Sequence, residues 1–354
     1  MTPTFDKIHL KFKLNGISYD HDDLKEVAYS LVKEGEPYEQ VVGNFLLDWL
    51  DEKDYVLVRT SGTTGLPKSI KLEKSAMVNS AIMTGDYFGL KPGDSALHCL
   101  PSRYISGKMM LVRAMILGLE LEMVVPTLHP PYDHQKPYDF AAMIPLQLKN
   151  SISRIDNIKT LIVGGAHVSK SLVEKLQELP THIYETFGMT ETISHVAVKP
   201  LNHTDVNNDV FKTLPHISIS KDDSDCLVIK APKLNSDTIV TNDLIELVSE
   251  NEFRHMGRRD NMINSGGVKV YPELIEYKLQ DLIEQRFFIA SESDKDFGQK
   301  VIMVVEGDST DFDRDIFSQL EKYEVPKAVY NIQKFMETET GKLQRQKILD
   351  VVLS

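Results

Sequence analysis

Cysteine and tryptophan are scarce in this chain: Cys99, Cys226 and a single tryptophan occur among 354 residues. Two thiols exclude a disulfide framework and a four-thiolate zinc site. The expectation is a pair of reduced, buried side chains in a cytoplasmic protein. Positive charge is also in deficit, with 40 lysines and arginines against 52 aspartates and glutamates, a formal charge of −12. That argues against nucleic acid as a partner, because phosphate backbones are bound by basic faces that displace counterions. The N-terminus, Met1-Thr2-Pro3-Thr4-Phe5-Asp6, lacks the basic and apolar regions of a secretion signal. The most apolar stretch, Met109 to Pro126, is interrupted by Arg113, Glu120 and Glu122. A charge near mid-bilayer costs at least about 2.5 kcal/mol, so a buried helix and strand are expected there and membrane insertion is not. No internal repeat and no low-complexity segment occurs.

What remains is ordinary globular composition, 42% hydrophobic and 26% charged, long enough for roughly two domains at about 150 residues each. Ile8, Leu10, Phe12 and Leu14 alternate with polar residues, which predicts a strand ending at Gly16. Val41 to Leu50 has helical spacing. Tyr55-Val56-Leu57-Val58 predicts a short buried strand, as does Thr160-Leu161-Ile162-Val163, and Ser169 to Leu179 a helix. Short apolar strands alternating with helices predict an α/β fold, a large layered α/β domain. Between Leu201 and Leu247, polar turns separate β-rich runs such as Cys226-Leu227-Val228-Ile229, suggesting a small β subdomain. After Gly257 a helix over Glu273–Ile283, a strand over Val301–Val305 and a helix over Phe312–Tyr323 suggest a small α+β domain. The division is therefore 1–257 and 258–354.

The most informative run is Thr60-Ser61-Gly62-Thr63-Thr64-Gly65-Leu66-Pro67-Lys68. Its glycines let backbone amides approach a ligand closely, and its hydroxyls and lysine suit phosphate. It is not a Walker A loop, since Pro67 stands where a glycine would be needed. Alone, such a run is an ordinary turn. Further runs follow in order: Gly164-Gly165-Ala166, Tyr184-Glu185-Thr186-Phe187-Gly188-Met189-Thr190-Glu191, Thr241-Asn242-Asp243, Gly257-Arg258-Arg259-Asp260, Ser265-Gly266-Gly267 and Thr340-Gly341-Lys342.

Over residues 60–345 this series resembles the adenylate-forming superfamily, which includes acyl- and aryl-CoA ligases, luciferases and peptide-synthetase adenylation domains. The resemblance implies ATP, Mg²⁺, CoA and a small carboxylic acid as ligands. A carboxylate would displace pyrophosphate from ATP, and a thiol would then take the acyl group and release AMP. Thr60, Ser61, Gly62, Thr63, Thr64, Gly65 and Lys68 would hold the β and γ phosphates. Thr190 would meet the α-phosphate and Glu191 the metal. Gly164, Gly165, Ala166, Phe187 and Gly188 would hold adenine, and Asp243 with Arg258 the ribose. Lys342 would neutralise charge in the adenylation step. The small C-terminal domain would turn about Asp260, bringing Ser265, Gly266 and Gly267 to a CoA tunnel.

The segment Leu100-Pro101-Ser102-Arg103-Tyr104-Ile105-Ser106-Gly107 resembles the Pro-x-x-His-Ile-Ser-Gly element of o-succinylbenzoate-CoA ligases of menaquinone synthesis, with Tyr104 in place of histidine. An acyl pocket formed by Arg103, Tyr104, Ser106, Gly107 and Lys108 is implied, and Arg103 and Lys108 are the cations for a second carboxylate. Other aryl or short acyl acids, a carrier-protein thiol, and a catalytically inactive nucleotide-binding scaffold stay open as alternatives. Members of the superfamily usually have more than 400 residues, so the resemblance implies an abbreviated N-terminal region. A second subunit that completes the acyl pocket is compatible with it.

Overall fold

Two segments that the sequence marks as apolar and alternating, Tyr138–Met143 and Ile158–Val163, lie side by side and parallel at the centre of a thirteen-stranded sheet. Successive side chains of a strand point to opposite faces. Phe140, Ala142 and Ile162 accordingly enter one core, and Ala141, Met143, Leu161 and Val163 the other. Both faces are covered, which is why these strands are almost continuously apolar. The protein, described here from a computed structural model, is defined over residues 3–59, 69–308, 312–337 and 343–354.

From one edge the sheet runs Ser218–Lys221, Cys226–Lys230, Ile239–Ser249, Glu252–Arg258, Val210–Thr213, His195–Pro200, His182–Gly188, Ile158–Val163, Tyr138–Met143, Ser95–His98, Glu120–Met123, Lys13–Leu14 and Ile17–Ser18. Neighbours from His182–Gly188 through Lys13–Leu14 are parallel, and those from His182–Gly188 to the opposite edge are antiparallel. The chain's order reverses between Ser95–His98 and Tyr138–Met143. A reversal of this kind opens a crevice outside the carboxyl ends of the strands.

Four helices contribute to the larger core: α1 (His21–Glu34), α2 (Pro37–Leu50), α3 (Lys74–Phe88) and α4 (Ile105–Leu117). α1 begins where the Asp20 carboxylate accepts from the amides of Asp22 and Asp23, an N-cap. Residues 263–332 build a separate five-stranded sheet, with Gly298–Glu306 between Phe287–Asp294 and Ala328–Ile332. Its two faces are filled by Met303 and Val305 on one side and by Ile302 and Val304 on the other.

Four expectations are corrected. The N-terminal alternation forms a strand only at Lys13–Leu14. Upstream, the Phe12 amide donates to the His9 carbonyl and the Lys11 amide to His9 Nδ1, turning the chain so that Leu10 is 96% exposed. Tyr55–Arg59 does not enter the parallel sheet but pairs with Ser69–Glu73 as a hairpin, leaving Leu57 exposed. The strands between 210 and 249 extend the main sheet and form no subdomain of their own. Phe312–Tyr323 forms only a 3₁₀ turn at Arg314–Phe317, from which Phe312, Ile316, Phe317 and Leu320 still reach the core. Cys99 and Cys226 are free and buried, as expected.

The 55–73 hairpin is tied to the body by Lys74. Its side chain is fully buried, with Nζ 2.8 Å from Asp51 Oδ1 and 3.0 Å from the Asp51 carbonyl oxygen. Burial disfavours ionisation of Asp51, yet hydrogen bonds from Lys74 and Lys53 outweigh it and lower the carboxyl to about 2. Asp51→Ala would strand the buried ammonium and should destabilise the protein by about 3–5 kcal/mol, whereas replacing Lys74 with the apolar methionine should cost much less. Urea denaturation midpoints of the two variants measure the difference.

Candidate active site

The hairpin Tyr55–Arg59/Ser69–Glu73 is aligned up to the Arg59–Ser69 pair, and the expected phosphate run, Thr60, Ser61, Gly62, Thr63, Thr64, Gly65 and Lys68, connects its two strands. Those residues lie outside the described ones, as do Gly341 and Lys342. The segment after Lys342 is fixed. Arg345 Nη2 is 2.7 Å from Glu276 Oε2, Nη1 donates to the Ile289 carbonyl at 3.2 Å, and the guanidinium lies 5.3 Å from the Phe288 ring centre.

Gly164, Gly165 and Ala166 follow the carboxyl end of Ile158–Val163, against the neighbouring strand His182–Gly188. A Cβ on Gly164 would stand 2.5 Å from Thr186 Oγ1, which donates to the Val163 carbonyl. The loop thus approaches the signature strand as only glycine permits. At the end of that strand a Cβ on Gly188 would collide with the Ser194 carbonyl and His195 Cα. Between them the Thr192 hydroxyl takes part in bonds with the Met189 amide, the Met189 carbonyl and the Ser194 carbonyl, and Ile193 sits at φ +66°. A β-branched residue in that region is strained. The strained turn carries Thr190 and Glu191; Glu191 is exposed.

Phe187 packs edge-on to Phe253, with ring centres 5.3 Å apart, and lies 5.7 Å from His255. Asp243 and Arg258 face each other across the sheet. Asp243 is buried, with Oδ1 3.2 Å from His255 Nε2 and 3.5 Å from Arg258 Nη1. Its carboxyl is held below the ordinary value because His255 and Arg258 outweigh the effect of burial. The glycine loop, Phe187, Asp243 and Arg258 are therefore brought together.

Asp260 lies in the 3₁₀ turn Arg259–Asn261, where Asn242 Nδ2 donates to its carboxylate at 3.1 Å. Gly266 and Gly267, at φ +61° and +85°, connect Ile263–Ser265 to Val268–Val270, and Ser265 is buried. Two positive φ values in a two-residue hairpin turn select glycine.

The acyl-side residues start α4. Tyr104 precedes its first turn, Ser106 is exposed, and Gly107 presses against the Pro101 carbonyl where a Cβ would collide. Arg103 lies 5.5 Å from the Tyr104 ring centre. Lys108 Nζ sits 4.6 Å from the Phe45 ring centre on α2. Behind this loop, the buried His98 and Ser102 are joined at 2.8 Å, and burial holds the imidazole down to about 4.

The cation that the sequence reading passed over is Arg113, 2% exposed. Its Nη2 donates to Ser194 Oγ at 2.7 Å and its Nε to Thr84 Oγ1 at 3.3 Å, with His195 Nδ1 at 3.5 Å and Met110 Sδ at 3.7 Å. No carboxylate among the described residues pairs with it. Burial lowers Arg113 to about 10, and His195 lies well below its ordinary value through burial and the Arg113 charge. The available signal was a single arginine inside the apolar run Met109–Leu117. His167 and His255 carried no recognisable signal.

A second charged group borders the glycine loop. Glu185 is buried, with His167 Nδ1 2.7 Å from Oε1 and Lys199 Nζ 2.8 Å from Oε2. Burial opposes ionisation of Glu185, but His167 and Lys199 reverse this and lower it to about 2, while His167, half exposed, is raised because Glu185 outweighs its partial desolvation. The carboxylate's contribution is present above its ordinary 4.5 and lost as pH falls through about 2. That of His167 is full below its ordinary 6.5 and lost as pH rises through the elevated value. In an NMR titration His167 should have its midpoint above 6.5. Glu185→Gln should lower the midpoint and Lys199→Met raise it; a midpoint indifferent to Glu185→Gln would contradict the pairing.

Comparison with known proteins follows the same geometry. The family model described as AMP-binding enzyme matches residues 16–227. A solved structure of an acyl-CoA synthetase (AMP-forming)/AMP-acid ligase II-like protein from Dyadobacter fermentans is 35% identical, with 93% of this chain and 98% of that chain covered and a TM-score of 0.61. A protein of Bacillus cytotoxicus named 2-succinylbenzoate–CoA ligase is 27% identical over 332 residues, 82% of this chain and 69% of that protein. The o-succinylbenzoate CoA synthetase of Bacillus subtilis, solved with an acyl-adenylate, shares the fold at TM-score 0.73 and 20% identity, over 82% of this chain and 68% of that one. The chain belongs to the AMP-binding enzyme family.

Proposed function

We propose that the chain is an AMP-forming acid–CoA ligase. A carboxylate attacks the α-phosphate of ATP and pyrophosphate leaves; the thiol of CoA then attacks the acyl-adenylate and AMP leaves. The proposed acid is an aromatic dicarboxylate, o-succinylbenzoate, in keeping with the names of relatives 25% and 27% identical. Arg113 carries this choice. A monocarboxylate has one anionic group, which is consumed at the α-phosphate, whereas a buried guanidinium with no acidic partner among the described residues suits a second. Ser194, half-buried between Arg113 and the surface, would donate to that carboxylate with the cation behind it.

In this reading adenine lies between Gly164-Gly165-Ala166 and the Phe187 ring with Gly188, a π face suited to a flat base. Asp243, backed by Arg258, accepts from the ribose, Thr190 donates to the α-phosphate, and the 60–68 run holds the terminal phosphates. Among the described residues no group of three or more histidine, cysteine, aspartate or glutamate side chains could hold a metal ion. A lone exposed Glu191 fits Mg²⁺, which binds through few carboxylates and takes its other ligands from phosphate and water. Bound there, the ion would neutralise phosphate charge. Residues 258–354 would turn about Asp260, carrying Lys342 to the site for the first half-reaction and the Ser265-Gly266-Gly267 turn for the second. Among the described residues no helix is long and apolar enough to cross a membrane.

Exchange of labelled pyrophosphate into ATP across a panel of acids tests the reading. o-Succinylbenzoate should support exchange best, and an analogue with one carboxylate should lose roughly 10–100-fold in kcat/KM, the scale of a charge-assisted contact. Arg113→Met should erase that difference. A monocarboxylate preferred by the unaltered protein would transfer the reading to another aryl or short acyl acid. Exchange without thioester formation from CoA would point to a carrier-protein thiol, and no exchange with any acid to an inactive scaffold.

Lys342→Ala should lower adenylate formation by about 10²-fold or more and spare thioester formation from supplied adenylate. Asp260→Pro should do the reverse, because a fixed φ obstructs the turn. Rapid-quench measurement of each half-reaction separates the two outcomes.

A further inference from the structure

The strand Glu252–Arg258 leads to the Gly257-Arg258 element, and its residue His255 touches two parts of the nucleotide site at once. Its Nε2 lies 3.2 Å from Asp243 Oδ1. Its ring lies 5.7 Å from that of Phe187 at 47° and 5.4 Å from that of His167 at 42°. Both Arg258 and His255 address the same carboxylate oxygen, Oδ1, and the Thr241 side chain adds a hydrogen bond to the carboxyl group. The Asp243 amide donates to Thr241 Oγ1, which fixes the backbone beneath. We propose that His255 is a positioning residue for the nucleotide: it locks the Asp243 carboxylate in one rotation, presenting it to the ribose hydroxyls, while its ring braces the Phe187 face on which adenine rests.

Arg258 alone does not do this. At 3.5 Å with a side chain 43% exposed, it is a flexible surface partner, and exposed ion pairs fix geometry weakly. His255 is largely buried, with an 11% exposed side chain, and touches both the Phe187 and the His167 ring, so it has less freedom to lose than Arg258 and orients Asp243 before binding. The same side chain thereby couples recognition of the sugar to that of the base. This assignment rests on the nucleotide site proposed above and adds to it a residue that orients the ribose-binding carboxylate.

Calorimetric binding of ATP, 2′-deoxy-ATP and 3′-deoxy-ATP to the unaltered protein, His255→Phe and His255→Gln tests it without knowledge of the acid. Phenylalanine keeps the ring packing and removes the donor; glutamine restores a donor. The unaltered protein should prefer ATP over both deoxynucleotides. His255→Phe should weaken ATP roughly tenfold, the scale of one hydrogen bond to a charged group, and leave the deoxynucleotides within about twofold, so that discrimination collapses. His255→Gln should recover most of the preference. Equal weakening of all three nucleotides, or none, overturns the positioning role while the nucleotide site stands. Failure of the unaltered protein to bind ATP overturns the nucleotide site and this assignment with it.

Discussion

A positive charge with no negative partner among the described residues governs the architecture beside the turn after Gly188. Removing a guanidinium from water costs several kcal/mol unless its protons are satisfied, and around Arg113 that satisfaction comes from neutral groups. Thr84 donates its hydroxyl proton to the Ser80 carbonyl at 3.0 Å, so its oxygen accepts from Arg113 Nε. His195 Nε2, 3.4 Å from Thr84 Oγ1, then serves as donor, and Nδ1 is left to accept from Arg113. One neutral tautomer satisfies every contact, and a protonated one would set two cations together. The turn at Ile193, with its positive φ, delivers both Ser194 and His195 to the same guanidinium.

The sheet puts these groups where a ligand can reach them. Parallel strands all end at one face, and there the glycine loop after Val163 and the turn after Gly188 emerge side by side. Beyond His182–Gly188 the ladder becomes antiparallel, so Glu252–Arg258 runs against His182–Gly188 and brings His255 beside Phe187, while its own antiparallel neighbour Ile239–Ser249 brings Asp243 to His255 and Arg258. A wholly parallel sheet would send the next strand away across a helix. The change of direction allows three separate stretches of sequence to border one surface.

Much of this was legible in the sequence because it depends on local rules. Strands ending in glycine, such as Thr160–Gly165, announce both the buried segment and the close approach that follows it. The ordered motifs announced the family. Partnership across the sheet was not legible: nothing in the spacing of His255 and Asp243 distinguishes a facing pair from two surface residues, since register depends on bulges at Leu244–Ile245 and Leu247–Ser249. Arg113 was passed over because charge was sought near the start of α4, where Arg103 and Lys108 stand, while the helix delivers Arg113 two turns later to the opposite wall. At Phe312–Tyr323 the apolar spacing correctly marked residues that pack on the core, but it could not decide between a helix and a chain of tight turns reaching the same contacts. The phosphate run and Lys342 lie outside the described residues, and their roles rest on the sequence resemblance.

The proposed rotation of residues 258–354 is physically reasonable because of where the polar contacts lie. The Ser171 amide donates to Asp281 at 2.9 Å, Lys269 lies 3.6 Å from Asp225, and Asn242 donates to Asp260 at 3.1 Å; all three contacts are exposed. Exposed ion pairs are typically worth about 0–1 kcal/mol and exchange readily for water. The contacts that shape the smaller part are internal to it, above all Glu276–Arg345, in which the guanidinium also caps the Ile289 carbonyl and covers the Phe288 ring. A turn about Asp260 would therefore move the segment after Lys342 as a rigid extension of its own sheet. Its cost includes the close packing of Glu273 against Gly257 as well as these surface contacts, while the cores of the smaller part stay intact.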